Sequence, residues 1–168
     1  MIEHEANVLV VVPVMLSRLL AAADTSALPE LRVIASSGSA LGATLAADSL
    51  ARFGPVLYNL YGSTEVAVAT VAGPGDLAIA PSTAGRPALG VRVEVLDDSG
   101  NPVADGEIGR IFVGGAMRFE GYTDGGSKEV RRGLISTGDL GRFYGGLLFV
   151  EGRAMAATAS DNPTAWNN

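Results

Sequence analysis

Short β-branched runs alternate with helical patterns in the first part of the chain, and this alternation constrains the fold more than any other feature. The run at residues 8–12 is continuous and apolar, as in a buried strand. Pro13 follows where a helix can begin, because the first helical turn does not need the N–H that proline lacks. The apolar residues at 16, 19, 20 and 23 then predict one buried helical face.

The same pattern repeats once and ends in a third strand. Residues 31–35 predict the second strand, and residues 41–53 predict a second helix that Gly54 and Pro55 end. An apolar approach at residues 56–60 predicts the third strand. This order predicts an α/β fold, in which a partial parallel sheet is connected by helical crossovers.

The pattern changes in the second half of the chain. Residues 66–71 allow another strand, residues 73–76 are predicted to be a loop, and the turn formers at 81–90 predict a connection. Short alternating strands follow, two of them flanking a Gly145-Gly146 hairpin, and they predict a small antiparallel sheet or barrel. The sequence therefore predicts three units, which are a partial α/β subdomain over 1–80, a small β-rich subdomain over 81–153 and an irregular tail over 154–168.

Composition narrows the possible functions. Apolar residues make up 48% of the chain, which is enough to bury a core, and the net charge of −6 argues against a nucleic-acid partner. The chain has no cysteine, which excludes disulfides and thiolate metal sites. The sequence also predicts no transmembrane segment and no signal peptide, since the run at 8–14 is short and the start lacks a basic region. We therefore expect a cytoplasmic protein.

Residues 58–65 contain the main candidate ligand-binding groups, because an apolar approach is followed there by an aromatic residue, a glycine, hydroxyls and a carboxylate. Ligands of open α/β sheets bind at the carboxyl ends of the strands. Gly62 would let a flat ligand approach the backbone, Thr64 can donate to a phosphate oxygen, and Glu65 is a hard oxygen ligand suited to Mg²⁺. An ordinary polar turn explains the octapeptide equally well.

Three further clusters carry polar groups next to predicted strands. Residues 37–40 follow the second strand, Asp139 lies among glycines in residues 136–141, and Arg153 follows the last hairpin strand. A carboxylate can accept hydrogen bonds from both hydroxyls of a ribose, and an arginine can pair with phosphate. Taken one at a time, each cluster is also explained as a turn, a cap or a solvated side chain.

Taken in order, these segments resemble the adenylate-forming (AMP-binding) enzymes, which include acyl-CoA synthetases, firefly luciferase and the adenylation domains of peptide synthetases. The resemblance extends over nearly the whole chain up to Arg153. The matching segments are residues 12–16, 37–40, 61–65, 85–87, 106–111, 121–122, 136–140 and 152–153.

The resemblance implies a nucleotide site for ATP or AMP. Its cofactor-binding residues would be Gly38, Ser39, Ala40, Tyr61, Gly62, Thr64, Asp139 and Arg153. By this resemblance Tyr61 and residues 38–40 hold the adenine, Asp139 binds the ribose hydroxyls, and Arg153 reaches the ribose or a phosphate. Thr64 would contact the α-phosphate and Glu65 would hold Mg²⁺, so these two are the expected catalytic residues.

The reaction implied by the resemblance is attack of a carboxylate on the α-phosphate of ATP, followed by transfer of the acyl group to a thiol. Ser63 stands where peptide-synthetase domains usually place proline, which favours an acyl-CoA synthetase with a fatty or related acid and coenzyme A as substrates. Peptide-synthetase adenylation stays open as an alternative.

Two parts of the family pattern do not occur in the sequence. A phosphate loop ending in Pro-Lys-Gly is not found, and neither is the C-terminal domain with its lysine. We therefore expect a fragment of the large N-terminal domain that is inactive alone, or alternatively a non-catalytic nucleotide-binding or interaction module. We also expect residues 8–12 to form an exposed sheet edge through which the chain self-associates.

Overall fold

A computed structural model describes residues 6–22, 30–64, 66–115 and 128–154 of the chain, which form two sheets of five strands each. The first sheet and its helices consist of β1 (Val8–Val11), α1 (Pro13–Ala21), β2 (Val33–Ser36), α2 (Ala43–Phe53), β3 (Leu57–Ser63), β4 (Ala67–Ala72), α3 (Pro74–Ile79) and β5 (Arg86–Pro87). The second sheet consists of β6 (Arg92–Leu96), β7 (Gly109–Gly114), β8 (Val130–Arg131), β9 (Leu134–Tyr144) and β10 (Leu147–Arg153).

The first sheet begins as the predicted parallel sheet. Strands β1, β2 and β3 are parallel neighbours, and β4 and β5 continue the sheet in antiparallel pairing. Helices α1 and α2 cover one face, where Leu16 and Ala46 pack with Ile34 and Leu57 in a buried cluster. The predicted α/β class is therefore confirmed, with a sheet that is mixed rather than parallel throughout.

Residues 73–76 were predicted to be a loop, and this prediction is wrong. Pro74 begins helix α3, and the carboxylate of Asp76 accepts a hydrogen bond from the N–H of Gly73 at 3.4 Å. Proline at the first helical position and an acidic residue in the first turn are both helix-start signals. The Gly-Pro-Gly sequence resembles a turn because the same residues serve both structures.

The second sheet is the small antiparallel sheet that the sequence predicts. Its order is β10-β9-β7-β6, and β8 pairs with β9. The Gly145-Gly146 hairpin joins β9 to β10, and both glycines have positive φ, at 57° and 77°, as a tight two-residue turn requires. The pairing register of β9 and β10 shifts at an irregularity between Val150 and Gly152, so that Arg153 lies opposite Asp139.

The two sheets pack against each other and are also joined by hydrogen bonds. The hydroxyl of Thr83 donates to the carbonyl of Leu148 at 2.8 Å, and the N–H of Leu148 donates to the carbonyl of Gly85 at 2.8 Å. Glycine is required at residue 85, because φ is +88° and a Cβ would lie 2.1 Å from the carbonyl oxygen of Val71. The chain passes from one sheet to the other between β5 and β6, and the division into subdomains at residues 1–80 and 81–153 stays a prediction.

Strand β1 leaves apolar side chains in contact with solvent. Within the described ranges it pairs only with β2, and the helices cover only the side of Leu9 and Val11. On the opposite side Val8 and Val10 are exposed, Val10 to 75%. None of the helices among the described residues is long and apolar enough to cross a membrane.

Candidate functional site

The ends of β2 and β3 place two of the predicted clusters at one edge of the first sheet. The strands are parallel, with Ser36 opposite Asn59, so residues 37–40 leave the sheet beside the end of β3. The N–H of Ser37 donates to the carbonyl of Val11 at 3.1 Å, and Gly38 turns the chain with φ +90°. Residues 38–40 are exposed at this edge, as a ligand-binding turn would be.

The end of β3 is a tight hairpin rather than an open loop. A Cβ on Gly62 would lie 1.7 Å from the carbonyl oxygen of Ala67, which itself has φ 51°. Glycine at residue 62 is therefore required by the close approach of β4, a different reason from the ligand approach inferred from sequence. Thr64 is exposed at the tip of this hairpin, whereas Glu65 lies outside the described residues.

Asp139 joins the two sheets at the centre of the site. The phenolic hydroxyl of Tyr61 on β3 donates to Asp139 Oδ2 at 2.7 Å. On the other side, Arg153 Nε lies 3.3 Å from Asp139 Oδ1. The Asp139 side chain is only 16% exposed, whereas that of Arg153 is 79% exposed. The structure thus brings together three of the predicted site residues, which come from β3, β9 and β10.

Two hydroxyls fix the backbone that carries Asp139. The buried Thr137 hydroxyl donates to the carbonyl of Ile111 at 3.2 Å and accepts the N–H of Asp139 at 3.2 Å. The Ser136 hydroxyl likewise accepts the N–H of Gly138 at 3.2 Å. Sequence reasoning assigned no role to either residue, although a hydroxyl that bonds the backbone two residues on is a known turn signal.

A lysine also reaches this segment. Lys128 Nζ donates to the carbonyl of Thr137 at 3.4 Å, from the chain just before β8. Glu129, the residue after Lys128, makes a second contact with this segment, because its carbonyl accepts a hydrogen bond from the N–H of Ser136 at 2.9 Å. The sequence carries no signal for this lysine, since its partner is a backbone carbonyl that only the folded chain places there.

Burial controls the ionisation of Tyr61. Desolvation raises the pKa of its phenol well above the usual value, a hydrogen bond with Thr137 lowers it, and the hydrogen bond and charge of Asp139 raise it further. The phenol is therefore protonated at neutral pH and is a hydrogen-bond donor to the carboxylate. Asp139 keeps acceptor capacity for a ligand, because an ionised carboxylate offers about four lone-pair positions.

Within the described ranges no three acidic or histidine side chains come together as a metal site. A Mg²⁺ ion commonly needs only one or two protein carboxylates when phosphates of a nucleotide supply the other oxygens. Glu65, the predicted Mg²⁺ ligand, follows Thr64 in the sequence and lies outside the described residues.

A cavity of about 430 Å³ lies between β4 and the second sheet. Aliphatic side chains and glycine backbone form most of its wall. Its lining residues are Val66, Val68, Leu89, Gly90, Val91, Arg92, Val113, Gly114, Gly115, Gly133, Leu134 and Ile135. The guanidinium of Arg92 is engaged elsewhere, since it lies 3.1 Å from the carboxylate of Glu94 and donates to the carbonyl of Arg132.

The sequence model of the AMP-binding enzyme family matches residues 1–123. The chain belongs to this family. The resemblance found in the sequence is thereby confirmed, and the matched residues include Tyr61.

Relatives of this AMP-binding chain are named for different activities. A medium/long-chain-fatty-acid–CoA ligase from Mycobacterium tuberculosis is 36% identical over 83% of the chain. An indigoidine synthase from Streptomyces lavendulae is 32% identical over 96% of the chain. Among solved structures, ATP-bound MatB from Rhodopseudomonas palustris is 28% identical over 90% of the chain, with a TM-score of 0.80.

The chain spans only part of each of these proteins. It covers 26% of the fatty-acid–CoA ligase, 14% of the indigoidine synthase and 32% of the MatB chain. The family and the fold therefore extend to this AMP-binding chain, whereas the activities of the whole relatives are properties of longer polypeptides.

Proposed function

We propose that the chain is part of an ATP-dependent acid–thiol ligase, which activates a carboxylic acid as an acyl-adenylate and passes the acyl group to coenzyme A. The observation that carries this proposal is the Tyr61–Asp139–Arg153 cluster, assembled from both sheets in an AMP-binding fold. Similarity to the fatty-acid–CoA ligase supports the reaction class, and the ATP-bound neighbour supports the nucleotide.

The nucleotide roles follow from the chemistry of the cluster. Asp139 is a mostly buried carboxylate that can accept both ribose hydroxyls through charge-assisted bonds. The ring of Tyr61 offers an aromatic face for the adenine, beside the exposed turn at residues 38–40. Arg153 is mostly exposed, so its guanidinium can leave Asp139 and turn toward the ribose or a phosphate at small cost.

Thr64 and Glu65 are proposed to act at the phosphates. The Thr64 hydroxyl is exposed at the hairpin tip, where it can donate to an α-phosphate oxygen. Glu65 would hold Mg²⁺, which neutralises phosphate charge as the carboxylate attacks. In such a reaction the protein mainly positions the reactants and stabilises the developing charge.

The cavity beside β4 is proposed to receive the apolar part of the acid. Val66 and Val68 contribute to its wall directly after the Thr64–Glu65 pair, which would put an apolar tail beside the phosphate-binding residues. Filling the cavity with a Val68→Trp substitution should weaken binding of a long-chain acyl-adenylate analogue more than binding of AMP. Equal weakening of the two ligands would contradict this assignment.

A second candidate function is amino-acid adenylation in a peptide synthetase. The similarity to indigoidine synthase extends over 96% of the chain and favours it, whereas Ser63 favours the acyl-CoA synthetases. A comparison of a fatty acyl-adenylate analogue with an aminoacyl-adenylate analogue separates the two. Tighter binding of the aminoacyl form would favour the second candidate.

For the chain by itself we propose nucleotide or adenylate binding with negligible turnover. Formation of acyl-CoA by the purified chain would contradict this part of the proposal. We also propose self-association through the open edge of β1, where Val8 and Val10 meet solvent. A nucleotide-binding or interaction module without catalysis would show the same binding, so turnover of a longer polypeptide that contains this sequence distinguishes a ligase from a module.

The first test is calorimetric titration of the purified chain with a non-hydrolysable acyl-adenylate analogue, with and without Mg²⁺. We expect saturable binding that Asp139→Asn weakens by about 10- to 100-fold, the effect of losing charge-assisted hydrogen bonds. Asp48→Asn is the matched control, since Asp48 is an exposed carboxylate on α2. Failure of the folded wild-type chain to bind would refute the proposal, and undiminished binding by Asp139→Asn would refute the ribose role.

A further inference from the structure

The hydrogen bond between Tyr61 and Asp139 connects parts of the chain that are 78 residues apart. Tyr61 belongs to β3 of the first sheet, and Asp139 belongs to β9 of the second. At 2.7 Å the bond has the length of a good O–H···O interaction with an ionised acceptor. The carboxylate that is proposed to bind the ribose is thus held by a residue of the opposite sheet.

The two oxygens of Asp139 have partners of very different kinds. Oδ2 accepts from the partly buried Tyr61 hydroxyl, whereas Oδ1 lies 3.3 Å from the guanidinium of Arg153, whose side chain is 79% exposed. An exposed ion pair contributes little and is easily replaced by a ligand. The bond to Tyr61 is partly buried and therefore less exposed to solvent than the Arg153 pair, so it can persist while a ribose displaces Arg153.

The backbone and side chain of Asp139 are fixed from different directions. Its N–H is bound by the hydroxyl of Thr137, which is in turn anchored to the carbonyl of Ile111 in the second sheet. These bonds place the Cα atom but leave the side-chain torsions free. The hydrogen bond from Tyr61 opposes rotation of the carboxylate toward Arg153.

We infer that Tyr61 is a positioning residue for ribose recognition: its hydroxyl holds the Asp139 carboxylate in the orientation that accepts the ribose hydroxyls. This inference rests on the proposed function and adds a second role to Tyr61, whose ring is proposed to hold the adenine. The two roles belong to different atoms. A phenylalanine at this position keeps the ring and removes only the hydroxyl, so the roles can be separated.

The test compares AMP with dideoxy-AMP, which lacks both ribose hydroxyls, as ligands of the full chain. The wild-type chain should prefer AMP. In Tyr61→Phe the affinity for AMP should fall about tenfold, the effect of one hydrogen bond to a charged group, while the affinity for dideoxy-AMP should be unchanged. Tyr58→Phe is the matched control, because it removes a hydroxyl from the same strand.

A double-mutant cycle with Asp139→Asn sharpens the result. If the hydroxyl acts through the carboxylate, Tyr61→Phe should weaken AMP binding much less in the Asp139→Asn background than in the wild type. Equal losses for the two nucleotides would indicate a general structural role and overturn the inference, as would an unchanged affinity for AMP. A folded wild-type chain that binds neither nucleotide would refute the proposed function and this inference with it. If the wild-type chain prefers AMP, the proposed function stands, and the result for Tyr61→Phe then decides this inference alone.

Discussion

The two sheets differ in how completely their own residues enclose them. The second sheet buries Ile111, Phe112 and Val113 along β7, and two glutamates, each paired with two arginines, tie its strands together. The first sheet has helices against one face of β1 and leaves Val10 in solvent. The difference teaches that Asp139, the proposed ribose-binding residue, lies on the more completely buried sheet, whereas Thr64 and residues 38–40 extend from the more exposed one.

The largest expected effect comes from the core of the second sheet. Phe112 is fully buried with Leu96 and Leu134. Phe112→Ala should lower the free energy of unfolding by about 3–5 kcal/mol, a large part of the ~5–15 kcal/mol that holds a typical domain together. The comparison variant is Val10→Ala on the open face of β1, which should change stability by less than about 0.5 kcal/mol. Urea denaturation measures both, and similar losses would contradict the contrast between the sheets.

The next largest effect is expected at the junction of the sheets. Gly85→Ala places a Cβ against the carbonyl of Val71 in a left-handed conformation, next to the hydrogen bonds with Leu148. We expect a loss of about 1–3 kcal/mol from backbone strain, increased by the steric clash. Gly54→Ala is the control, because φ there is also positive, at +79°, but its Cβ would meet no atom within 4 Å. Thermal unfolding should rank Gly85→Ala below Gly54→Ala, and the reverse order would show that the junction adapts.

The sequence predicts elements whose signals are local. The parallel strands, the Gly145-Gly146 hairpin and the α/β class follow from β-branched runs, helical spacing and turn glycines. The start of α3 was missed because Gly73 and Pro74 are typical of turns as well as of helix starts. Local patterns decide such cases poorly when one residue type serves two structures.

In the candidate site, too, local motifs are predictable from sequence, whereas contacts between distant segments are not. Asp139 and Tyr61 stand out in sequence because they lie in recognisable motifs, and their nucleotide-binding roles stay predictions. Their mutual hydrogen bond is not predictable from either motif, because it depends on how the two sheets pack. Lys128 and Thr137 contribute through backbone carbonyls and amides, so their roles depend on the fold rather than on residue type.

A smaller, pH-dependent effect is expected at Glu129, which lies before β8 and pairs with Arg110 and Arg131. The hydrogen bonds from Arg110 and then Arg131 lower the pKa of Glu129 below its usual value of 4.5. A lowered pKa means that this stabilisation is present above the unfolded-state pKa and is lost as pH falls through the folded-state pKa. Glu129→Gln should therefore lower the melting temperature near neutral pH.

The pH dependence distinguishes the charge of Glu129 from its packing. The difference in melting temperature between wild type and Glu129→Gln should shrink as pH falls below about 4.5, because the protonated glutamate resembles glutamine. Glu30→Gln is a suitable control, since Glu30 and Arg32 are both largely exposed and lie 3.9 Å apart. A difference for Glu129→Gln that stays constant with pH would show that the charge of Glu129, and hence its ion pairs with Arg110 and Arg131, does not account for the stabilisation.

The smallest effect on stability is expected at the open edge of β1, where the expected change is in association. Val10→Lys puts a charge on an edge strand, a device that natural sheets use against edge-to-edge pairing. Stability should change by no more than about 0.5 kcal/mol, while the average mass in light scattering should fall. Ile79→Lys makes the same change at an exposed position of α3 and should leave the mass unaltered. If both variants lower the mass equally, or if the wild type is monomeric, the open edge of β1 is not what brings chains together, and the contrast between the sheets concerns packing alone.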